Sequence, residues 1–155
     1  GLMGDGRIKH ASHMMGIHPD FQGKGIGTRL KLAQRQAVQQ QGLDLITWTY
    51  DPLEVGNARL NIHKLGAVCR TYIPNPVVGN GRPPETTKSP NEVRHFVQIP
   101  TNIRALKAQD MPLAKAWRQH TRRLFTDLFA QRYAVIDFIL RQGKAYYLLM
   151  DNFLP

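Results

Sequence analysis

The sequence predicts a mixed α/β fold, and three observations support that class. Helical and strand periodicities alternate along the first half of the chain. The apolar fraction of 42% is ordinary for a globular domain. At 155 residues the chain is long enough for one compact domain. We therefore expect a mixed, twisted sheet flanked by helices, with a C-terminal helix and β-hairpin as an extension.

The first predicted elements are a strand, a helix and a second strand. Residues 8–17 are β-rich and end at a break formed by His18 and Pro19. Residues 28–41 have apolar side chains at helical spacing and end at Gly42, which predicts an amphipathic helix. Its expected buried face comprises Leu30, Ala33, Ala37 and Val38. Residues 43–50 then predict another strand, which Pro52 ends because proline lacks a backbone donor.

A second helix, a strand and a long loop are predicted next. Asn57 is a good N-cap for a short helix, and Gly66 favours its left-handed end. Residues 67–73 are typical of a strand, whereas the proline-rich residues 74–91 lack periodicity and predict a loop or linker. The predicted organisation is a core over 1–73, this linker over 74–91, and a C-terminal part over 92–155.

The C-terminal part is predicted to contain a strand, a helix and a hairpin. Residues 93–99 alternate as a strand, and Asp110 precedes a helix with Pro112 in its first turn. The expected apolar stripe of that helix comprises Leu113, Trp117, Leu124 and Leu128. Residues 133–140 and 145–150 flank a Gly-containing turn and therefore predict a β-hairpin.

The amino-acid composition indicates which binding partners and which cellular compartment to expect for this protein. The 21 Lys and Arg residues against 11 Asp and Glu give a net charge of +10, which favours an anionic partner without choosing among nucleic acid, acidic membrane and phosphorylated cofactor. A solvated basic surface is an equally good interpretation. Cys69 is the single cysteine, so we expect a buried spectator thiol and a cytoplasmic, reducing location. No stretch approaches the ~20 apolar residues of a membrane helix, so we expect no membrane partner.

A glycine-rich segment, Gln22-Gly23-Lys24-Gly25-Ile26-Gly27-Thr28, follows the first strand and opens the first helix. Backbone N–H groups at a helix start are unpaired and favour an anion such as a pyrophosphate. An ordinary glycine-rich turn is the alternative. A Walker loop is excluded because Lys24 is followed by Gly25, and the glycine spacing does not fit a dinucleotide fingerprint.

The landmarks around this segment form an ordered set. Gln22-x-x-Gly25-x-Gly27 follows Ile17-His18-Pro19, and Trp48 to Pro52, Asn57-Ala58 and Lys64-Leu65-Gly66 come later. Over about Ser12 to Tyr72 this pattern resembles the GNAT superfamily of acyl-coenzyme A dependent acyltransferases, within a branch of predicted acetyltransferases. The resemblance implies a GNAT-like sheet. It also implies that the part of the domain preceding the site is missing from a chain that begins at Gly1.

The resemblance further implies acetyl-coenzyme A as co-substrate and no metal. Its pantetheine would pair with the strand around Met14 to Ile17, and its pyrophosphate would lie on the N–H groups from Gly23 to Thr28. The implied cofactor-binding residues are Met15, Ile17, Gln22, Gly23, Lys24, Gly25, Ile26, Gly27, Thr28 and Asn57.

Proton transfer requires groups that the sequence does not fix. A lysine-like amine acceptor, whose pKa is ordinarily near ~10.4, must lose a proton before attack. His13 is our first choice of base, and strand alternation places it on the face opposite His10. Relatives place a tyrosine where this chain has Ile62, so Tyr50 is the substitute candidate for protonating the leaving sulfur, against the alternative of a core tyrosine.

Three functions remain in view. The first is an N-acyltransferase that moves an acetyl group to an amine of a small molecule or protein. The second is a non-catalytic GNAT-like acyl-coenzyme A binding protein or scaffold. The third is a basic nucleic-acid-associated module, which composition alone supports. A homodimer is compatible with each of them.

Overall fold

The computed structural model describes residues 8–73 and 94–151. The chain divides into two compact units, residues 1–51 and 52–155. Within the described residues, four α-helices and two small sheets confirm the predicted mixed α/β class. The strands form one parallel pair and one antiparallel group of three, where we expected a single mixed sheet. The predicted linker over 74–91 lies outside the described residues.

The first unit contains a strand, a helix and a parallel strand. Strand β1 (His10–Ala11) is followed by a 3-10 turn (Pro19–Phe21), helix α1 (Ile26–Gln40) and strand β2 (Ile46–Thr47). His10 pairs with Ile46 and Ala11 with Thr47 in a parallel register. The predicted order is therefore correct, but each strand is only two residues long, because the two segments separate beyond these pairs.

Helix α1 was predicted correctly, whereas its predicted buried face is confirmed only at Val38. Val38 is the one buried hydrophobic side chain among the described residues of this unit. Leu30 and Leu32 are 46% and 47% exposed. Periodicity therefore located the helix but did not establish what covers its apolar side chains.

The second unit begins with helix α2 (Val55–Ala58), which continues as a π-helix (Arg59–Lys64). Our assignment of Asn57 as the N-cap was wrong, since Glu54 occupies the cap position and Asn57 lies inside the helix. The wider turn is closed by a bond from Leu65 N–H to the Leu60 carbonyl at 3.0 Å, which is an i to i−5 contact. Ala58 and Ile62 are buried on this helix.

The strand predicted over 67–73 does not form. Cys69 instead makes an isolated antiparallel bridge to Val135, with N···O distances of 3.1 and 2.8 Å. The apolar and β-branched residues there satisfied strand propensity, yet the ladder does not extend beyond this bridge. Strand propensity alone therefore did not predict pairing.

The second sheet contains strands β3 (Arg94–Ile99), β4 (Tyr133–Arg141) and β5 (Lys144–Asp151) in the order β3-β5-β4, all antiparallel. The predicted hairpin is confirmed as β4–β5. Its turn residues Gln142 and Gly143 both have positive φ, 50° and 74°, as a tight hairpin with the twist of its strands requires. The central strand β5 buries three side chains: Ala145, Tyr147 and Leu149.

Two helices pack in the second unit: α3 (Ile103–Gln109), which we did not predict, and α4 (Met111–Ala130). Asp110 caps α4 as predicted, because its Oδ1 accepts the Leu113 N–H at 2.8 Å. Of the predicted apolar stripe, only Leu128 is buried. Leu113 is exposed, and the buried residues of α4 are Ala114, Ala116, Thr121, Phe125 and Leu128.

Candidate functional site

The glycine-rich segment follows a short, internally bonded turn. His18 opens the 3-10 turn, and its carbonyl accepts the Phe21 N–H at 2.9 Å. The side-chain amide of Gln22 donates to the Ile17 carbonyl at 3.0 Å. This bond ties the entry of the glycine-rich loop to the end of the preceding extended segment, so Gln22 has a positioning role in the loop.

Two glycines set the shape of the loop. Gly23 and Gly25 both have φ of +76°, in the left-handed region that other residues adopt only at a cost. Helix α1 starts directly after Gly25, without a side-chain cap. The first helical bond runs from Arg29 N–H to the Gly25 carbonyl. Within the described chain, the six N–H groups from Gly23 to Thr28 donate no hydrogen bond.

The chemistry of this loop suits an anion. The positive end of the α1 dipole coincides with the unpaired N–H groups. Lys24 and Arg29 are exposed nearby in sequence, and the Lys24 ammonium lies 5.4 Å from the centre of the Phe21 ring. Gly27 is buried, so its N–H is shielded from much of the solvent. Each bond from such an N–H to a charged oxygen contributes about 1.5–3 kcal/mol.

The extended segment before the loop separates from β2 after Ser12. Ser12 N–H donates to the Thr47 carbonyl at 2.8 Å, and this is the last bond of the parallel pair. Among the described residues, the backbone groups from His13 to Gly16 have no hydrogen-bond partner. An extended ligand with amide groups would find donors and acceptors there.

The predicted site residues fall into different surroundings. His13 is exposed, and Tyr50 is half-buried. Met15 is 37% exposed and Ile17 is half-buried, in the segment that has separated from β2. Asn57 is exposed on α2, in the second unit. The loop residues Gln22 to Thr28 are contiguous at the start of α1, as the sequence predicted.

A polar network that we did not predict joins β1 and its continuation to α1. Lys31 Nζ donates to Ser12 Oγ at 2.9 Å and to Gln34 Oε1 at 3.3 Å. Gln34 Nε2 donates to Ser12 Oγ at 3.1 Å and lies 3.2 Å from His10 Nε2. The ammonium can only donate, which fixes the Gln34 amide orientation and makes His10 Nε2 an acceptor.

The sequence contains part of the signal for this network. His10 and Ser12 are two residues apart on an extended segment, and Lys31 and Gln34 are three apart on a helix, so each pair shares a face. What the sequence lacks is the register that brings these faces together.

The Lys31 ammonium also lies over the Trp48 ring, 4.5 Å from its centre. Burial lowers the pKa of Lys31 from its ordinary value of 10.5, because it disfavours the charged form. The ring face attracts the cation and acts in the opposite direction. Lys31 is therefore a cation held between an aromatic face and two side-chain oxygens.

Comparisons of this chain with protein-family models, with curated proteins and with solved structures find no match. The residues and their geometry are therefore the basis for assigning a function.

The second unit contains two further polar features. His63 on the π-helix lies 3.1 Å from Asp137 Oδ1, which also accepts the Phe138 N–H at 2.7 Å beside a β-bulge. An open cleft of about 310 Å³ lies near Trp117 and Lys144. None of the predicted site residues lines that cleft.

Metal-binding clusters and membrane-spanning helices are both absent from the described residues. No group of three or more His, Cys, Asp or Glu side chains in this part of the chain is arranged to hold a metal ion. Every described helix is too short or too polar to cross a lipid bilayer.

Proposed function

We propose that this chain binds acetyl-coenzyme A and transfers its acetyl group to an amine, as an N-acyltransferase of GNAT-like arrangement. The observation that carries the proposal is the parallel pair β1–β2 that separates after Ser12 and leads into a loop of unpaired N–H groups at the start of α1. One continuous path therefore offers backbone groups for an amide-bearing arm and then a cradle for its pyrophosphate.

In this proposal the pyrophosphate lies against the N–H groups from Gly23 to Thr28. Gly23 and Gly25 leave space on the ligand side, because a Cβ added at either position meets no atom within 4 Å. Lys24 supplies counter-charge. The pantetheine arm pairs with the strand around Met14 to Ile17, where the separation from β2 leaves the backbone groups up to Gly16 available.

The chemistry then takes place where the two segments separate. A neutral amine attacks the thioester carbonyl, the C–N bond forms, and the C–S bond breaks. His13 is exposed in the pantetheine segment and is the proposed base that takes the proton from the amine. The resemblance suggested Tyr50, which is half-buried, as the proton donor to the leaving sulfur. Both assignments rest on position in the chain and on the ordinary chemistry of imidazole and phenol.

The experiment is calorimetric titration of acetyl-coenzyme A into the protein and two glycine variants. Gly25→Glu adds a negative charge and a side chain at the proposed pyrophosphate cradle. Gly42→Glu is the matched control, because Gly42 has φ of +75°, has equally open space around a Cβ, and follows the opposite end of α1. We expect saturable binding by the wild type and by Gly42→Glu, with at least a tenfold loss in Gly25→Glu. Equal effects of the two substitutions would contradict the assignment.

A non-catalytic acyl-coenzyme A binding protein is the second candidate. Ile62 occupies the position where relatives of the resembled family have a tyrosine, and it is buried at 2% exposure, so it supplies packing and no hydroxyl. Incubation with acetyl-coenzyme A and a panel of amines distinguishes the two. Release of coenzyme A that depends on the amine identifies the transferase, and binding without such release identifies the second candidate.

A further inference from the structure

Ser12 has one hydrogen-bonding function left unused. A serine hydroxyl offers one donor and two acceptor lone pairs. Lys31 Nζ and Gln34 Nε2 both donate to Ser12 Oγ and occupy both lone pairs. The Ser12 hydroxyl donates no hydrogen bond to the described residues. The Ser12 hydroxyl can therefore donate a hydrogen bond to a ligand, and the Lys31 ammonium polarises its oxygen.

The position of Ser12 in the fold indicates which ligand atom this hydroxyl could contact. Its N–H makes the last bond to the Thr47 carbonyl, so Ser12 lies at the point where the two extended segments separate. An arm that starts at the loop from Gly23 to Thr28 and follows the segment backward from Ile17 would end near this point. In acetyl-coenzyme A the end of that arm is the thioester sulfur.

We propose that Ser12 is the catalytic proton donor to the departing coenzyme A thiolate, with Lys31 as the residue that resupplies its proton; this rests on the proposed acyl transfer. As the C–S bond breaks, sulfur takes the Ser12 Oγ–H proton, and Oγ takes a proton from the Lys31 ammonium. His13 releases to solvent the proton that it took from the acceptor amine, and the neutral Lys31 amine recovers a proton from solvent. Burial of Lys31 lowers the cost of its transient neutral form.

Gln34 is a positioning residue in this arrangement. It accepts from Lys31 through Oε1 and donates to Ser12 and His10 through Nε2. It therefore holds the ammonium and the hydroxyl in contact without taking part in proton transfer.

The test uses coenzyme A itself, because its thiol is the leaving group in the protonated state. The pKa of the bound thiol is followed by thiolate absorbance across a pH titration, with desulfo-coenzyme A as the blank. In the wild type we expect the pKa of the bound thiol to lie about 1 unit below that of free coenzyme A in the same buffer, since a hydroxyl donor held by a cation stabilises the thiolate.

Variants separate this role from folding and from binding. We expect Ser12→Ala and Lys31→Met to return the thiol pKa to its ordinary value while calorimetry shows desulfo-coenzyme A binding within about twofold of the wild type. Ser12→Thr keeps the hydroxyl and should keep the lowered pKa. Lys107→Met removes an exposed lysine of the second unit and should change neither measurement.

Each outcome decides between the claims. Loss of the lowered thiol pKa in Ser12→Ala and Lys31→Met alone supports the relay. Coenzyme A binding with an ordinary thiol pKa in every protein overturns the relay and leaves the proposed function standing. Absence of any coenzyme A binding by the wild type overturns the proposed function, and the relay with it.

Discussion

The phenolic hydroxyl of Tyr147 donates a 2.8 Å hydrogen bond to the backbone carbonyl of Pro52. Tyr147 is 1% exposed on the central strand β5, and Pro52 lies just before the buried Leu53 and helix α2. The bond therefore fastens the start of the second unit's chain to the middle of its sheet, across 95 positions of sequence.

Replacing Tyr147 with Phe should lower the free energy of unfolding by about 1–2 kcal/mol, because the ring still packs while the carbonyl loses its donor. Urea denaturation measures this change. Tyr146→Phe is the matched control on the other face of β5, and its half-buried hydroxyl has no bond among the described residues. We expect its effect to stay within about 0.5 kcal/mol. Similar losses in both variants would show that the bond to Pro52 contributes nothing specific.

The Lys31–Trp48 contact predicts an alkaline fluorescence transition. Deprotonation of Lys31 removes the cation 4.5 Å from the indole centre, so Trp48 emission should change with a midpoint below 10.5. A Trp117→Phe background isolates Trp48, since the chain has two tryptophans. Lys31→Met should abolish the transition. A transition that persists in that variant would assign it to another group.

The lowered pKa of Lys31 also determines how its contribution to the free energy of unfolding changes with pH. Because burial lowers the pKa of Lys31 in the folded state, the unfolded chain binds more protons between that lowered pKa and 10.5. The unfavourable contribution of Lys31 is full below the lowered pKa and disappears as pH rises to 10.5. The stability difference between wild type and Lys31→Met, measured by urea unfolding at several pH values, should therefore shift in favour of the wild type across this alkaline window.

Cys69 should react slowly with alkylating reagents. Burial raises the pKa of its thiol above 9.0, and a backbone contact with Thr71 opposes this only partly. The reactive thiolate is therefore scarce at neutral pH. Iodoacetamide labelling followed by mass spectrometry should be at least tenfold slower than for a cysteine peptide, and denaturant should remove the difference. Equal rates in the folded protein would contradict the spectator role.

The N-cap of α4 can be tested by comparing the loss of an acidic residue at its start with the loss of one in its last turn. Asp110→Ala removes the bond to the Leu113 N–H and should cost about 1 kcal/mol in thermal or urea unfolding. Asp127→Ala removes the same charge from the last turn of the same helix, where it faces the negative end of the dipole. We expect Asp127→Ala to be neutral or to stabilise by about 0.3 kcal/mol. Destabilisation by both variants in equal measure would rule out the capping explanation.

The α4 helix shows what periodicity can and cannot predict. Its existence and its Asp110 cap follow from local chemistry, which the sequence contains. The buried face runs through Ala114, Thr121 and Phe125 to Leu128, and of these residues we predicted only Leu128. Small residues at the helix contact let it approach its neighbours, and a hydrophobicity pattern undervalues them because it favours large side chains.

Helix α3 and the π-helix illustrate two other limits. Asn102 caps α3 by accepting the Ala105 N–H at 2.9 Å, so a local signal was present in the sequence but the helix was too short to show periodicity. The π-helix has no such signal. It packs against β4, which only the folded chain brings beside it.

The candidate site also contains one part that the local sequence determines and one part that depends on tertiary packing. The loop from Gln22 to Thr28 depends on glycine conformations and a helix start, which neighbouring residues determine. The network of His10, Ser12, Lys31 and Gln34 depends on how a strand and a helix meet. Its members were therefore visible individually but not as a set.

The strand order β3-β5-β4 constrains the sequence of folding events in the second unit. Strand β3 bonds only to β5 in this sheet, and Arg94 pairs with Met150, whereas the β4–β5 hairpin closes through the turn at Gln142 and Gly143. Closing the short turn costs far less chain entropy than joining strands so far apart in sequence. The hairpin is thus the template, and β3 acquires its sheet bonds only after β5 is in place.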